Sequence, residues 1–381
     1  MRIAVFHNLP AGGGKRSAYE FVKRMSCEHD LDLYQADSTT EDYLDLRSFA
    51  KRTVLVPVGG TRPRSRVTRL LALRGAQREI ARRINGGGYD LVFVMQCKVS
   101  NTPHLLEYLQ VPSVYYCHEP KSRSLEPQLR PKGRLSTLKT ILAHVGVHAE
   151  SNRARRASVI CANSRFSVEN VYRAFGVYPV YVPPGVAADA FRPMALQREY
   201  EVLAVGNLTV SKAMDFVISS VATLDRRPLV RIVHNTEDRS ARNCLAAMAQ
   251  QQGVRVVFER LSEDDLVRRY NSSGVVAYPC ILEPFGLVPL EAMACETPVV
   301  AVAEGGPRET IRHGETGLLT DRNVVDFGKA LQSLLENPQR ARNMGALGRQ
   351  DVLERWTWDQ SYSHLRCALA QAVGNHKGKL S

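Results

Sequence analysis

Short apolar runs alternate with longer stretches of helical spacing along this chain, and they do so in two series. RIAVFHN (2–8), LDLYQ (31–35), TVLVPV (53–58), YDLVFVM (89–95), PSVYYC (112–117) and SVICAN (158–163) make up the first. Most are apolar at nearly every position rather than at every second one, which is the pattern of a parallel strand covered on both faces. Stretches with helical spacing lie between most of them, notably over 66–84 and 136–156. A segment with two early prolines, a glycine and no periodicity, VPPGVAADAFRPM (182–194), then breaks the pattern. A second series follows it: EVLAVGN, VRIVHN, VRVVFER, GVVAYPC and PVVAVAE, each succeeded by a helical stretch, with helices from Val324 onward. The pattern predicts an α/β protein of two Rossmann-like domains, 1–183 and 184–356, then a helix over residues 357–375 and a disordered tail, 376–381.

With 381 residues, each domain is long enough for its own core. No apolar run approaches the roughly 18 residues of a membrane span. Met1 leads within one residue into a strand, so no signal peptide is expected and a cytoplasmic protein follows. The eight cysteines include no Cys-x-x-Cys spacing, which suits reduced thiols rather than disulfides or zinc.

Charge alters the picture more. Residues 1–183 hold 28 Lys and Arg against 15 Asp and Glu and the remainder holds 23 of each, so the net charge of +13 lies wholly in the first domain. Its densest clusters are 62–66, 78–83, 121–134 and 153–156. A basic domain can face nucleic acid, an anionic membrane or an anionic acceptor; the expectation here is a peripheral contact with the inner face of a membrane and no nucleic-acid partner. A solvated surface explains any single cluster equally well.

Residues 283–295, EPFGLVPLEAMAC, concentrate the candidate chemistry. Pro289 suits the first helical position, leaving the amides of Gly286, Leu287 and Val288 unpaired at the positive end of a helix, where a phosphate binds. Glu291 then falls in the first turn, where its carboxylate can accept hydrogen bonds from hydroxyls such as those of a ribose. Glu283 lies in the preceding loop and faces the same cleft. Taken alone, the stretch also reads as a buried turn with two solvated glutamates.

Three other features compete for attention. The loop Gly12-Gly13-Gly14-Lys15 invites a P-loop nucleotide hydrolase, but Leu9 stands where that motif needs its first Gly and Arg16 separates Lys15 from Ser17. The glycines more simply let backbone approach a ligand. Asp30-Leu31-Asp32 resembles a metal-binding pair, yet it opens a strand and no neighbouring ligand completes a cage, so no essential metal is expected. His118, in YYCHEP, lies just beyond the carboxyl end of a strand, where parallel sheets bind ligands, and Ser164 reads as a helix N-cap.

The order Glu-Pro-Phe-Gly-Leu-x-x-x-Glu-Ala-Met-Ala resembles the acidic motif of the family 4 (GT4) retaining glycosyltransferases. TPVVAVAEGGPRETIRHGETGLLT is similar to the strand, Gly-Gly turn, Glu309 and closing Gly314-x-Thr316-Gly317 of that family. The resemblance implies a GT-B fold, with two Rossmann-like α/β domains facing each other across a cleft and the last helix crossing back onto the first. It also implies transfer of a hexose, with retention, from a nucleotide-diphosphate sugar to a hydroxyl acceptor in glycolipid, envelope polysaccharide or glycoconjugate synthesis, without a cofactor. The basic domain suits a lipid-linked or phosphorylated acceptor.

By the same resemblance Glu283 takes sugar hydroxyls and Glu291 the ribose. Lys212 and the amides that follow Phe285 (Gly286, Leu287, Val288) take the diphosphate. Arg260 and Leu261, after the third strand of the second domain, contact the base. Gly13 and Gly14 complete the cleft with His118, which resembles the family's active-site histidine near the transferred sugar, so that His118, Lys212 and Glu283 are the implied catalytic residues. Residues 206–212, Gly-Asn-Leu-Thr-Val-Ser-Lys, are similar to the family's Gly-Arg-Leu-x-x-x-Lys, but Asn207 replaces the arginine and removes one charge from the diphosphate contacts. A cation from the basic half that substitutes for it, a weaker leaving-group contact, and a relative that binds donor without transferring it all remain open.

Overall fold

The structure, a computed structural model, describes residues 1–37, 39, 41–58, 66–120, 137–235 and 238–380. The basic residues at 62–65 and 121–134 lie outside this set. The chain divides into two compact units, Met1–Pro183 with Ser361–Ser381, and Pro184–Gln360.

The first unit is built on a parallel sheet of seven strands: β1 (Arg2–Asn8), β2 (Asp30–Ala36), β3 (Arg52–Val56), β4 (Leu91–Cys97), β5 (Ser113–Cys117), β6 (Val159–Ala162) and β7 (Val180–Tyr181). Their order is β3-β2-β1-β4-β5-β6-β7. β1 pairs with β2 and β4 in parallel, with Phe6 opposite Tyr34 on one side and Val94 on the other. Every residue of β4, LVFVMQC, is buried, which is why the segment lacks alternation. Helices α1 (Gly13–Glu28), α2 (Arg66–Asn85), α3 (Thr137–Ala154) and α4 (Arg165–Phe175) follow β1, β3, β5 and β6. The limits of α4 are set locally: Ser164 Oγ accepts from Ser167 N–H at 2.8 Å, and Gly176 ends the helix at φ 66°, a left-handed conformation that glycine adopts without penalty.

The second unit repeats the scheme with six strands: β8 (Glu199–Val205), β9 (Leu229–Val233), β10 (Val256–Glu259), β11 (Ser273–Tyr278), β12 (Val299–Val302) and β13 (Leu318–Thr320), in the order β10-β9-β8-β11-β12-β13. Helices α5 (Met214–Ala222), α6 (Arg239–Gln251), α7 (Glu263–Ser272), α8 (Leu287–Ala294), α9 (Pro307–Thr310), α10 (Val324–Leu335) and α11 (Pro338–Arg355) accompany them. One core cluster contains Tyr270, Tyr278, Phe285 and Trp356, another Val217, Ile232, Phe327 and Leu331. Each such side chain contributes about 1.5–3 kcal/mol by leaving water.

The last helix, α12 (Trp358–Leu380), is longer than the sequence predicts. Residues 376–380, expected as a disordered tail, are helical backbone. No proline interrupts the segment, and its single Gly378 weakens a helix without ending it.

In each sheet the strand order reverses direction once, between β1 and β4 and between β8 and β11. Open parallel sheets bind ligands beyond the carboxyl ends of the strands at that reversal. The loops that leave β8 and β11 are therefore the expected location of a site in the second unit, and the loop after β1 that of a site in the first.

Candidate functional site

Lys212 and Glu283 occupy those two loops of the second unit. After β8 the chain runs through Gly206 and Asn207 into a short 3-10 turn, Val210–Lys212; after β11 it runs through Cys280 and Leu282 to Glu283. Ile281 N–H donates to Ser211 O at 2.8 Å and fixes one loop against the other. The ammonium of Lys212 then lies 2.7 Å from Glu283 Oε2, with about a quarter of each side chain exposed. Gly206 takes φ 155°, which a residue with a Cβ rarely adopts, and a Cβ there would meet Met214 Cε at 3.2 Å and the Lys212 stem at 3.4 Å. No cation stands at position 207. Cys280, beside this pair, is pushed up to about 12 by burial and is a thiol, not a thiolate nucleophile.

Glu283 leads into α8, and two details differ from the sequence reading. The helix begins at Leu287, so Pro289 is its third residue rather than its first, and Glu291 falls in the second turn rather than the first. The reason is Gly286, which takes φ 95° and turns the chain into the helix two residues early. A Cβ on Gly286 would lie 3.2 Å from the Tyr278 ring. No side chain caps α8, so the amides of Leu287 and Val288 open its positive end without a side-chain acceptor. Glu291 is buried, and Tyr270 OH donates to its Oε2 at 2.9 Å. The ring of Phe285 is buried against Trp356, with centroids 5.7 Å apart, so this residue anchors the loop and offers a ligand only its backbone. Arg260 is exposed just past β10, and Leu261 packs partly against the core.

The Gly-Gly turn acts by contact. Gly306 N–H donates to Glu283 O at 2.8 Å. A Cβ on Gly305 would come within 2.3 Å of Glu283 O, and one on Gly306 within 2.4 Å of Phe285 Cα. Glycine is required at both positions because backbone packs on backbone. The closing Gly314-x-Thr316-Gly317 is structural: Thr316 Oγ1 accepts from Arg312 N–H at 2.9 Å, and a Cβ on Gly317 would lie 2.9 Å from Val299 O.

The structure brings together Gly14 and His118 in the first unit. Gly13 is the first residue of α1, Gly12 precedes it at φ 136°, and no side chain caps the helix. A Cβ on Gly14 would meet His118 Nε2 at 3.2 Å. Among the described residues that nitrogen is buried without a hydrogen-bond partner. Burial lowers the imidazole to about 4, so it is neutral at pH 7 and can donate or accept but carries no charge.

Lys15 is not available to phosphate. Its side chain is buried and its ammonium lies 2.6 Å from Glu41 Oε2, while His7 Nε2 lies 2.8 Å from Oε1 of the same carboxylate. Burial opposes ionisation of Glu41, but His7 and Lys15 hold it down at about 2. The P-loop reading fails on this pair. Asp32 is likewise engaged, by Arg2 at 3.0 Å and Arg52 at 3.2 Å. Tyr270 and Arg322 escaped the sequence reading, because each reaches the site from another element and no local pattern marks them; Glu304 lies just before the Gly-Gly turn, in a stretch whose resemblance assigned it no role.

Two family profiles match this chain in succession: "Glycosyltransferase Family 4" over residues 11–190 and "Glycosyl transferases group 1" over 189–351. The chain belongs to the family 4 glycosyltransferases. It is 33% identical over 226 residues, 53% of its own length, to a GDP-mannose-dependent alpha-(1-6)-phosphatidylinositol monomannoside mannosyltransferase of Mycolicibacterium smegmatis, of which the match covers 59%. It is 32% identical over 255 residues to a D-inositol 3-phosphate glycosyltransferase of Mycobacterium marinum, covering 61% of this chain and 54% of that one. The chain thus matches between half and three fifths of the length of these two relatives. Among solved structures, sucrose-phosphate synthase of Thermosynechococcus elongatus superposes with a TM-score of 0.81 at 20% identity, covering 98% of this chain and 99% of that one. Anabaena HepE in complex with UDP and glucose superposes at 0.77 and 18% identity, covering 97% and 99%. The fold is GT-B.

Proposed function

We propose that this protein is a hexosyltransferase that moves a sugar, with retention, from a nucleotide-diphosphate donor to a hydroxyl acceptor. The observation that carries this reading is the Lys212–Glu283 pair at the strand-order reversal of the second unit, beside the open amino end of α8. In a donor complex Lys212 and the Leu287 and Val288 amides take the diphosphate, Glu283 takes sugar hydroxyls, and Glu291, oriented by Tyr270, takes the ribose. Arg260 and Leu261 are the proposed base contacts. The cation and the helix amides stabilise charge as the leaving phosphate departs, and that phosphate can itself take the acceptor proton, so no protein nucleophile is needed. Neither a metal nor a cofactor is part of this mechanism.

The names of the relatives support an inositol-containing acceptor, either a phospholipid or a phosphorylated polyol. The excess of basic residues in the first 183 suits either one and suits a peripheral contact with an anionic membrane. Among the described residues no helix is long and apolar enough to cross a membrane. His118, neutral and beside Gly14, is the hydrogen-bonding group that the first unit offers.

The test is transfer from UDP-glucose and GDP-mannose to inositol phosphate and to phosphatidylinositol vesicles, with wild type, Lys212→Ala and Glu283→Ala. Transfer by wild type and a loss of about 100-fold or more in both variants supports the reading. Wild-type rates in both variants refute the site. Donor binding without transfer to any acceptor favours the silent-binder alternative, which the missing arginine at position 207 keeps open.

A further inference from the structure

Arg322, in the turn between β13 and α10, ties together three backbone segments around Glu283. Its Nε donates to Glu304 Oε1 at 2.8 Å and its Nη2 to Glu304 Oε2 at 2.8 Å, a two-point fork. The same guanidinium donates to Pro279 O at 2.9 Å and Cys280 O at 3.0 Å. Glu304 Oε2 in turn accepts from Leu282 N–H at 3.3 Å. Leu282 has φ 47°, a left-handed conformation that costs a leucine about 1 kcal/mol and persists only where its surroundings impose it. From the other side Gly306 N–H holds Glu283 O. The loop that carries Glu283 is therefore gripped at residues 279, 280, 282 and 283.

We propose that Glu304 and Arg322 are positioning residues of the donor site: through the backbone of residues 279–282 they set the place of the Glu283 carboxylate opposite Lys212. This rests on the donor-site reading of Glu283. Direct contact of Arg322 with the diphosphate is the competing role, and the geometry opposes it. The guanidinium is already matched by a carboxylate in bidentate contact, which neutralises it, and two further N–H groups donate to carbonyls, so four of its five donors are engaged. Burial works against the charge on Glu304, yet the Arg322 hydrogen bonds and charge hold its carboxyl below the usual range. A lysine would keep the charge but lose the fork and the carbonyl bonds. The two roles thus separate on one substitution.

Two readouts test the proposal on the full chain with Arg322→Lys and Glu304→Gln. Amide hydrogen exchange over 279–286 is expected to accelerate by about 10-fold or more in both variants while exchange in α5 stays unchanged. Donor turnover, followed as UDP or GDP released from UDP-glucose or GDP-mannose, is expected to lose about 10–100-fold in kcat with little change in KM. The further loss is expected to vanish when either substitution is added to Glu283→Ala, because both act through that carboxylate. Unchanged loop exchange, wild-type turnover in Arg322→Lys, or a full additional loss in the Glu283→Ala background would each overturn the proposal. Failure of the donor reading shows differently: Glu283→Ala itself then turns over at the wild-type rate, and the exchange result still decides whether the clamp exists.

Discussion

The ammonium of Lys212 and the carboxylate of Glu283 stand 2.7 Å apart on loops that leave two neighbouring strands, β8 and β11, of one sheet. Both side chains are partly exposed, so a diphosphate can reach the pair and displace the carboxylate from the lysine. On the proposed donor-site reading, Glu283 holds Lys212 in reserve when no donor is bound. Glu283→Ala is expected to lower sugar transfer by about 100-fold or more yet to bind the bare nucleoside diphosphate about 3- to 10-fold more tightly, because a competing anion is gone. Calorimetric titration with UDP and GDP measures this. Weaker nucleotide binding in Glu283→Ala would contradict the exchange of partners.

On the same reading, Asn207 leaves the phosphate end of the site one cation short. Asn207→Arg is expected to raise affinity for the preferred nucleoside diphosphate by about 5- to 20-fold, with a steeper salt dependence, since a guanidinium matches phosphate in two-point contact. If affinity is unchanged at low salt, another group already supplies that charge.

Lys15 separates a structural from a phosphate-binding role. Lys15→Met removes the partner of a buried carboxylate and is expected to cost about 3–5 kcal/mol, read as a lower unfolding midpoint, and to leave nucleotide affinity per folded molecule unchanged. A stable Lys15→Met variant that loses ATP binding would revive the P-loop reading.

His118 gives a pH signature. Its folded value is about 4, below the ordinary 6.5 or so of histidine, so the folded state favours the neutral ring. The associated stability is fully present above about 6.5 and is lost as pH falls from there toward 4, where the unfolded chain binds the proton first. Burial also lowers His7 and His104, so acid loss in the wild type is shared. The melting temperature of wild type is therefore expected to fall further between pH 7.5 and pH 4.5 than that of His118→Gln. Parallel profiles would mean that His118 titrates normally.

The fold was legible because fully buried strands cannot alternate. RIAVFHN became β1 over the same seven residues, and PSVYYC lost only its leading proline to the turn. The Ser164 cap was legible for a local reason, a hydroxyl placed three residues before the amide it accepts from. Glu283 and Glu291 stood out because both sit in one short stretch. Pro289 misled because its φ suits any position in a first turn, whereas Gly286 set where the helix starts. Tyr270 and Arg322 were invisible because nothing near them in sequence announces that they face a loop on another element. Lys15 was ambiguous until Glu41, from the loop after β2, was seen to engage it.

The central claim is that the second unit binds a sugar nucleotide through Glu291, Lys212 and the open end of α8. The most direct test is a thermal-shift titration with UDP, GDP and ADP, without and with magnesium, on wild type, Tyr270→Phe and Glu291→Ala. The account predicts a saturable rise in melting temperature with one of the three nucleotides, independent of magnesium, weakened in Tyr270→Phe and lost in Glu291→Ala. A shift that requires magnesium and survives Glu291→Ala, or no shift with any of the three, would contradict it.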